Sequence, residues 1–190
     1  AKIVSGPTTV KLKRGGAAGK SWRIALGEHR FKVSIEDVTK LDIKAALKKI
    51  ERVPPLYRRA FEIVSEKGKD GVAFYKSLGG AAAHGGQQYL NIVDRAGAHV
   101  MVHEAGHIME QRARDTEKDI LDRWTKAIAG DQVSISRYGD KVAHEDLAEF
   151  AAVYAICLNG GRGELKKLQG RSPKRYVLWQ RILKLAKALP

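Results

Sequence analysis

A single cysteine, Cys157, means that no disulfide can form within this chain. No apolar run reaches the roughly 18 residues that a membrane-spanning helix needs. No internal repeat is visible. Acids are in short supply: 21 Asp and Glu stand against 35 Lys and Arg, a formal net charge of +14. What is present excludes disorder, because 44% of the 190 residues are hydrophobic and can bury a sizeable core. This length suits one domain, or one compact unit with two lobes around a cleft. The first residue is alanine rather than methionine, which fits a mature secreted product, a toxin effector domain released inside a target cell, or a trimmed chain.

The shortage of acids is uneven. Residues 1–50 carry 12 Lys/Arg against 4 acids, residues 151–190 carry 9 against 1, and residues 101–150 reverse the balance with 7 against 11. Basic ends favour anionic partners, while the acidic centre puts carboxylates where a cation needs them; an ordinary soluble surface is the plainer reading. Near the C-terminus, Lys174, Arg175, Arg181, Lys184 and Lys187 accompany Tyr176, Leu178, Trp179, Ile182 and Leu185. That pattern suits either a nucleic-acid or anionic-surface binding module, or a terminal helix with its apolar side on the core.

The basic first 20 residues alternate too weakly to define an element. Residues 21–35 read as two strands joined at Gly27-Glu28. Leu41, Ile43, Ala46, Leu47 and Ile50 have helical spacing, and Pro54-Pro55 stops that helix. A second amphipathic helix ends at Gly68. Strands are expected over 71–78 and 87–93, separated by "GGAAAHGG" (79–86) as a flexible connection in which His84 reads as exposed. Helices follow over about 97–114, 115–129 and 143–158, with a loop at 130–140 and a last helix from Pro173. Strands and helices come first, then helices alone, so the class is α+β, with a strand-containing lobe over 1–96, a helical lobe over 97–190 and a cleft between them.

Within "VHEAGHIMEQ" (102–111), His103 and His107 lie four apart and share a helix face, so both can reach one zinc ion. Glu104, about 100° round from His103, borders that ion without chelating it and can serve as general base. The plainer alternative is a helix with ordinary histidines. Gly106 costs this helix roughly 1 kcal/mol relative to alanine, which makes sense if another element approaches closely. His99 extends the face, but one ion cannot bridge eight residues of straight helix, so it reads as a first-turn or rim residue.

The third ligand comes from elsewhere, because Glu110 and Ala113 stand where the metzincin extension needs Gly and His. From Leu147 onward the helix over 143–158 is apolar nearly all round, so it should be buried, yet Glu145, Asp146 and Glu149 sit at its entrance. Buried carboxylates are costly unless paired or bound to a cation. The economical reading makes Glu145 the third ligand and Glu149 a hydrogen-bond acceptor for a ligating histidine. His144 and Asp146 are rival ligands, and a role for Glu145 and Asp146 at the positive helix end is the plainer alternative. Tyr138, in a turn beside Gly139, is either a turn residue or a donor to the oxyanion formed when water attacks a carbonyl. Cys157 has no base placed beside it and reads as a buried structural thiol.

Taken together, His103-Glu104-Ala105-Gly106-His107, Tyr138-Gly139 and Glu145-x-x-Ala148-Glu149-Phe150 resemble the anthrax lethal factor-like and Pro-Pro endopeptidase family of zinc metalloproteases, of gluzincin type. The match covers residues 99–155, about a third of the chain. The resemblance implies a single zincin-like catalytic domain over 1–190 that hydrolyses peptide bonds. It also implies one Zn2+ on His103, His107 and Glu145, Glu104 as general base, Tyr138 assisting catalysis and Glu149 as the acid one turn beyond the third ligand. The expected partner is a peptide or protein substrate, laid along an edge strand for which "QQYLNIV" is the expected template, on a secreted monomer. The basic ends and the "GGAAAHGG" turn have no counterpart in that pattern.

Overall fold

The structure, a computed structural model, describes residues 1–189. Among the described residues it is α+β: six strands form one mixed sheet, accompanied by seven α-helices. The chain forms two compact units, Ala1–Glu104 and Ala105–Pro190, with the division inside helix α3 (Ala98–Arg114).

The first unit holds the sheet. β1 (Lys2–Lys11), β2 (Ala18–Leu26) and β3 (His29–Glu36) form an antiparallel meander, and β4 (Val72–Tyr75) pairs parallel to β3. β6 (Tyr89–Val93) lies parallel to β4, and β5 (Ala83–Gly86) closes the row antiparallel to β6, giving the order β1-β2-β3-β4-β6-β5. The β2–β3 turn forms at Gly27-Glu28 as expected, with Gly27 at φ 62, a conformation that glycine adopts without steric cost. The strand β1 is an addition to the sequence reading. It is exposed along almost its whole length and its register shifts twice against β2, so it has no buried face to impose alternation on its sequence.

Helix α1 (Ile43–Glu51) starts where the Asp42 carboxylate accepts the Ala45 N–H at 2.7 Å, leaving Leu41 outside. Pro54-Pro55 ends it, and α2 (Arg58–Lys67) ends before Gly68 as the sequence implies. Helix α2 packs on β3, β4 and β6, with Phe61 edge-on to Phe31 at 5.4 Å between centroids. Across the sheet, Leu12 from the β1–β2 connection packs with Ala73, Tyr75, Leu78 and Val93.

Two expectations about this region are corrected. "GGAAAHGG" is not merely a flexible connection: Gly79 and Gly80 turn at φ 69 and 98, and Ala83–Gly86 then pair with Ile92–Tyr89. Nor is "QQYLNIV" an edge. β6 lies between β4 and β5, and its buried run of Leu90, Asn91, Ile92 and Val93 is what a strand covered on both faces carries. The edge on this side of the sheet is β5.

In the second unit, α4 (Ile120–Asp131), α5 (Ala143–Asn159), α6 (Arg162–Arg171) and α7 (Pro173–Leu185) surround Trp124, Phe150, Trp179, Ile182 and Leu183. Trp124 meets Phe150 edge-on at 5.4 Å. Helix α6 escaped the sequence reading because it buries only Leu168 and carries two of its own glycines, leaving almost no apolar period to detect. The expectation of an all-round buried α5 also needs correction, since Ile156 is 70% exposed and Cys157 is half-buried.

The C-terminal basic pattern is not a uniform charged face. Arg175 is fully buried: its Nη1 donates to Asp146 at 2.8 Å, its Nε to Asp131 at 3.1 Å, and its Nη2 to the Val133 carbonyl at 2.6 Å. Arg181 pairs with Glu117. No helix among the described residues is long and apolar enough to cross a membrane.

Candidate metal centre

Helix α3 carries the motif in the register that the spacing requires, and α5 supplies the carboxylate. His103, His107 and Glu145 each present one ligand atom, all within 4.8 Å of one another, and each residue is half-buried. His107 Nε2 stands 3.6 Å from Glu145 Oε2. Zinc bonds of about 2.0–2.1 Å in a tetrahedron separate neighbouring ligand atoms by roughly 3.3–3.4 Å, so small side-chain adjustments bring these donors to coordination distance. Two imidazoles and one carboxylate are also a donor set that a catalytic zinc takes, with a fourth position left for water or substrate. The residues therefore fit the ion that the motif implies.

The helices meet at Gly106. A Cβ built there would lie 2.9 Å from the Ala151 Cβ and 3.1 Å from the Ala148 Cα, so α5 lies against α3 where the side chain is missing. This accounts for a glycine in the middle of a helix. Three small residues, Gly106, Ala148 and Ala151, set an interhelical distance that brings Glu145, one turn before Ala148, toward His107. Gly106→Ala is expected to lose stability despite the better helix former: overpacking costs about 1–3 kcal/mol, against roughly 1 kcal/mol of helix propensity regained. Thermal unfolding and zinc titration should both report the loss. Gly163→Ala in α6, whose Cβ would meet nothing within 4 Å, should show neither effect.

Of the rival ligands, Asp146 is committed elsewhere. It is 2% exposed and accepts the Trp124 Nε1–H at 2.8 Å as well as the Arg175 guanidinium. Burial raises its carboxyl above the usual value, while Arg175 and Trp124 pull it down. His144 is exposed and outside the three-residue cluster, but its Nε2 stands 3.3 Å from Glu145 Oε1, the oxygen that does not approach His107 most closely. His99 is exposed in the first turn of α3 and also lies outside the cluster.

Glu104 is 8% exposed, and a Cβ built on Gly85 would come within 2.8 Å of its Oε2. The edge strand β5 thus passes directly beside this carboxylate, which explains one glycine of the "GGAAAHGG" stretch. Tyr138 is 48% exposed, with the Lys141 ammonium 4.6 Å from its ring centroid. Its neighbour Gly139 packs on α5, where an added Cβ would lie 2.9 Å from the Asp146 Cα. Glu149 is half-buried one turn beyond Glu145.

One acid beside the motif has no role in the sequence reading. Glu110, one turn beyond His107, is 2% exposed and pairs with Arg114. Burial pushes its carboxyl above the usual range, opposed by Arg114 and, more weakly, by His144. Its i,i+4 spacing to Arg114 was the available signal. No protein-family model matches this chain, and no curated protein matches its sequence.

Proposed function

We propose that this protein is a zinc-dependent endopeptidase with a zincin-like fold, and that His103, His107 and Glu145 hold its ion. The observation that carries this reading is the convergence of those three donors, two from α3 and one from α5. The motif spacing, similar to the lethal factor-like and Pro-Pro endopeptidase family, adds to it. When bound, the ion supplies Lewis acidity, lowering the pKa of water toward ~7 and polarising a carbonyl oxygen.

The chain's own groups do the rest. The Glu104 carboxylate takes a proton from water and returns it to the leaving amine. Tyr138 donates a hydrogen bond to the carbonyl oxygen as negative charge develops there. Glu149 accepts from a ligating imidazole and fixes its orientation. The substrate lies extended along the open edge of β5, its backbone pairing as an added strand, because that edge borders Glu104. The biological setting is either a secreted protease or an effector delivered into a target cell. The nucleic-acid reading draws less support, since Arg175 and Arg181 are engaged within the fold.

The test joins metal analysis to digestion of a peptide library. Wild type should carry zinc and cleave; Glu145→Ala should lose most of both while its melting temperature shows that it folds. Equal metal and equal cleavage in the two proteins would defeat the proposal.

A further inference from the structure

Strand β5 presents two chemically different faces. Gly85 is directed at Glu104, so its neighbour His84 points to the opposite face of the sheet. There His84 forms a cross-strand row with Asn91 and Ala73, on the face that Leu12 covers. The β1–β2 connection continues from Leu12 into Lys13 and Arg14, and with His84 and Asn91 these line a concavity of about 420 Å³. It opens beside the strand that the proteolytic reading assigns to substrate.

The concavity is built for a negative group. The Arg14 guanidinium lies 3.2 Å from His84 Nδ1 and donates to the Leu78 carbonyl at 3.3 Å. Arginine can only donate, so Nδ1 must accept, and the neutral ring carries its proton on Nε2. Burial and Arg14 both lower the His84 pKa, in keeping with that neutral form. Arg14 has further N–H groups in its fork beyond these two contacts. One carboxylate shares the concavity: Asp70 is 8% exposed and accepts the Lys13 backbone N–H at 2.7 Å. Two cations therefore stand against one anion that is already bonded to the loop.

A peptide added to β5 alternates its side chains between the two faces of the sheet. The residue opposite Gly85 faces Glu104, and the one opposite His84 faces Arg14. We propose that Arg14, Lys13 and His84 form a subsite for an acidic side chain, so that the enzyme selects peptides with Asp or Glu next to the residue lying over Glu104. This rests on the proteolytic reading and on β5 as the substrate strand.

The test uses one cleavable peptide remade with Glu, Gln or Lys at each position flanking the cut. Wild-type kcat/KM is measured for each, and binding to the Glu104→Gln protein is followed by fluorescence anisotropy. At one position Glu should exceed Gln by about tenfold, as a charge-assisted hydrogen bond implies. Arg14→Gln should flatten that ratio, and Arg14→Glu should invert it in favour of Lys. Cleavage with no preference at any position, or a Glu preference that survives in Arg14→Glu, overturns the subsite alone. Absence of both cleavage and binding for every peptide overturns the proteolytic reading and the subsite with it.

Discussion

Glu104→Gln is expected to lower turnover by about 10²–10⁴-fold while leaving zinc content and folding unchanged. Glutamine keeps the shape of the side chain and removes only its capacity to accept a proton as a base. Shape matters here, because Glu104 is nearly buried and β5 passes at Gly85 within contact of its Oε2. Alanine would leave a void between strand and helix, and lost packing would then be confused with lost chemistry. Zinc should stay because Glu104 is not among the three converging donors. The measurement pairs steady-state cleavage with metal analysis on the same preparation. Retained turnover would remove Glu104 from the chemistry, and loss of zinc would make it a ligand or a support for one. The contrast with Glu145→Ala is the informative part, since one variant separates binding of the ion from its use and the other should lose most of both.

How much of this was legible depends on the range of the interactions involved. The α3 motif was plain because its information is local: a four-residue spacing puts His103 and His107 on one face wherever the helix sits. Gly106 was legible as a demand for close approach, although only the structure shows that Ala148 and Ala151 answer it. Glu145 was preferred over Asp146 on economy alone. Nothing in the sequence of α5 says that Asp146 turns inward to Trp124 and Arg175. The β5 strand was missed because Ala83, Gly85 and Gly86 carry little strand propensity; its pairing depends on β6, and Gly85 on the approach of Glu104. The edge was misplaced for a related reason, since a strand's neighbours in a sheet are not written in its own residues. In the sequence Arg175 is one more cation of the C-terminal basic pattern; arginine is rarely fully buried without partners, and the partners that bury it lie 29 and 44 residues away.

Arg175→Leu should be the most destabilising single change in the helical unit, costing about 3–5 kcal/mol. The side chains of Arg175 and Asp131 are fully buried and that of Asp146 is 3% exposed, so two carboxylates share one guanidinium away from solvent. The imbalance is met from the backbone: Asp131 also accepts the N–H groups of Lys174 and Arg175, at 2.9 and 3.1 Å, in the first turn of α7. A helix N-terminus carries partial positive charge, so Asp131 is stabilised twice. Leucine at 175 removes the guanidinium that Asp131 and Asp146 share and leaves Asp146 with the Trp124 N–H as a donor. For a chain of this length the loss corresponds to a fall in melting temperature of roughly 6–20 °C. Lys184→Gln, at an exposed position on the same helix, should stay within about 0.5 kcal/mol of wild type. The consequence reaches the metal centre through α5, because Asp146 directly follows Glu145. If the network anchors that first turn, Arg175→Leu will weaken zinc binding although Arg175 touches no ligand, and Asp146→Asn will weaken it too. Full zinc affinity in a destabilised Arg175→Leu protein would mean that the packing of Gly106 against Ala148 and Ala151 alone positions Glu145.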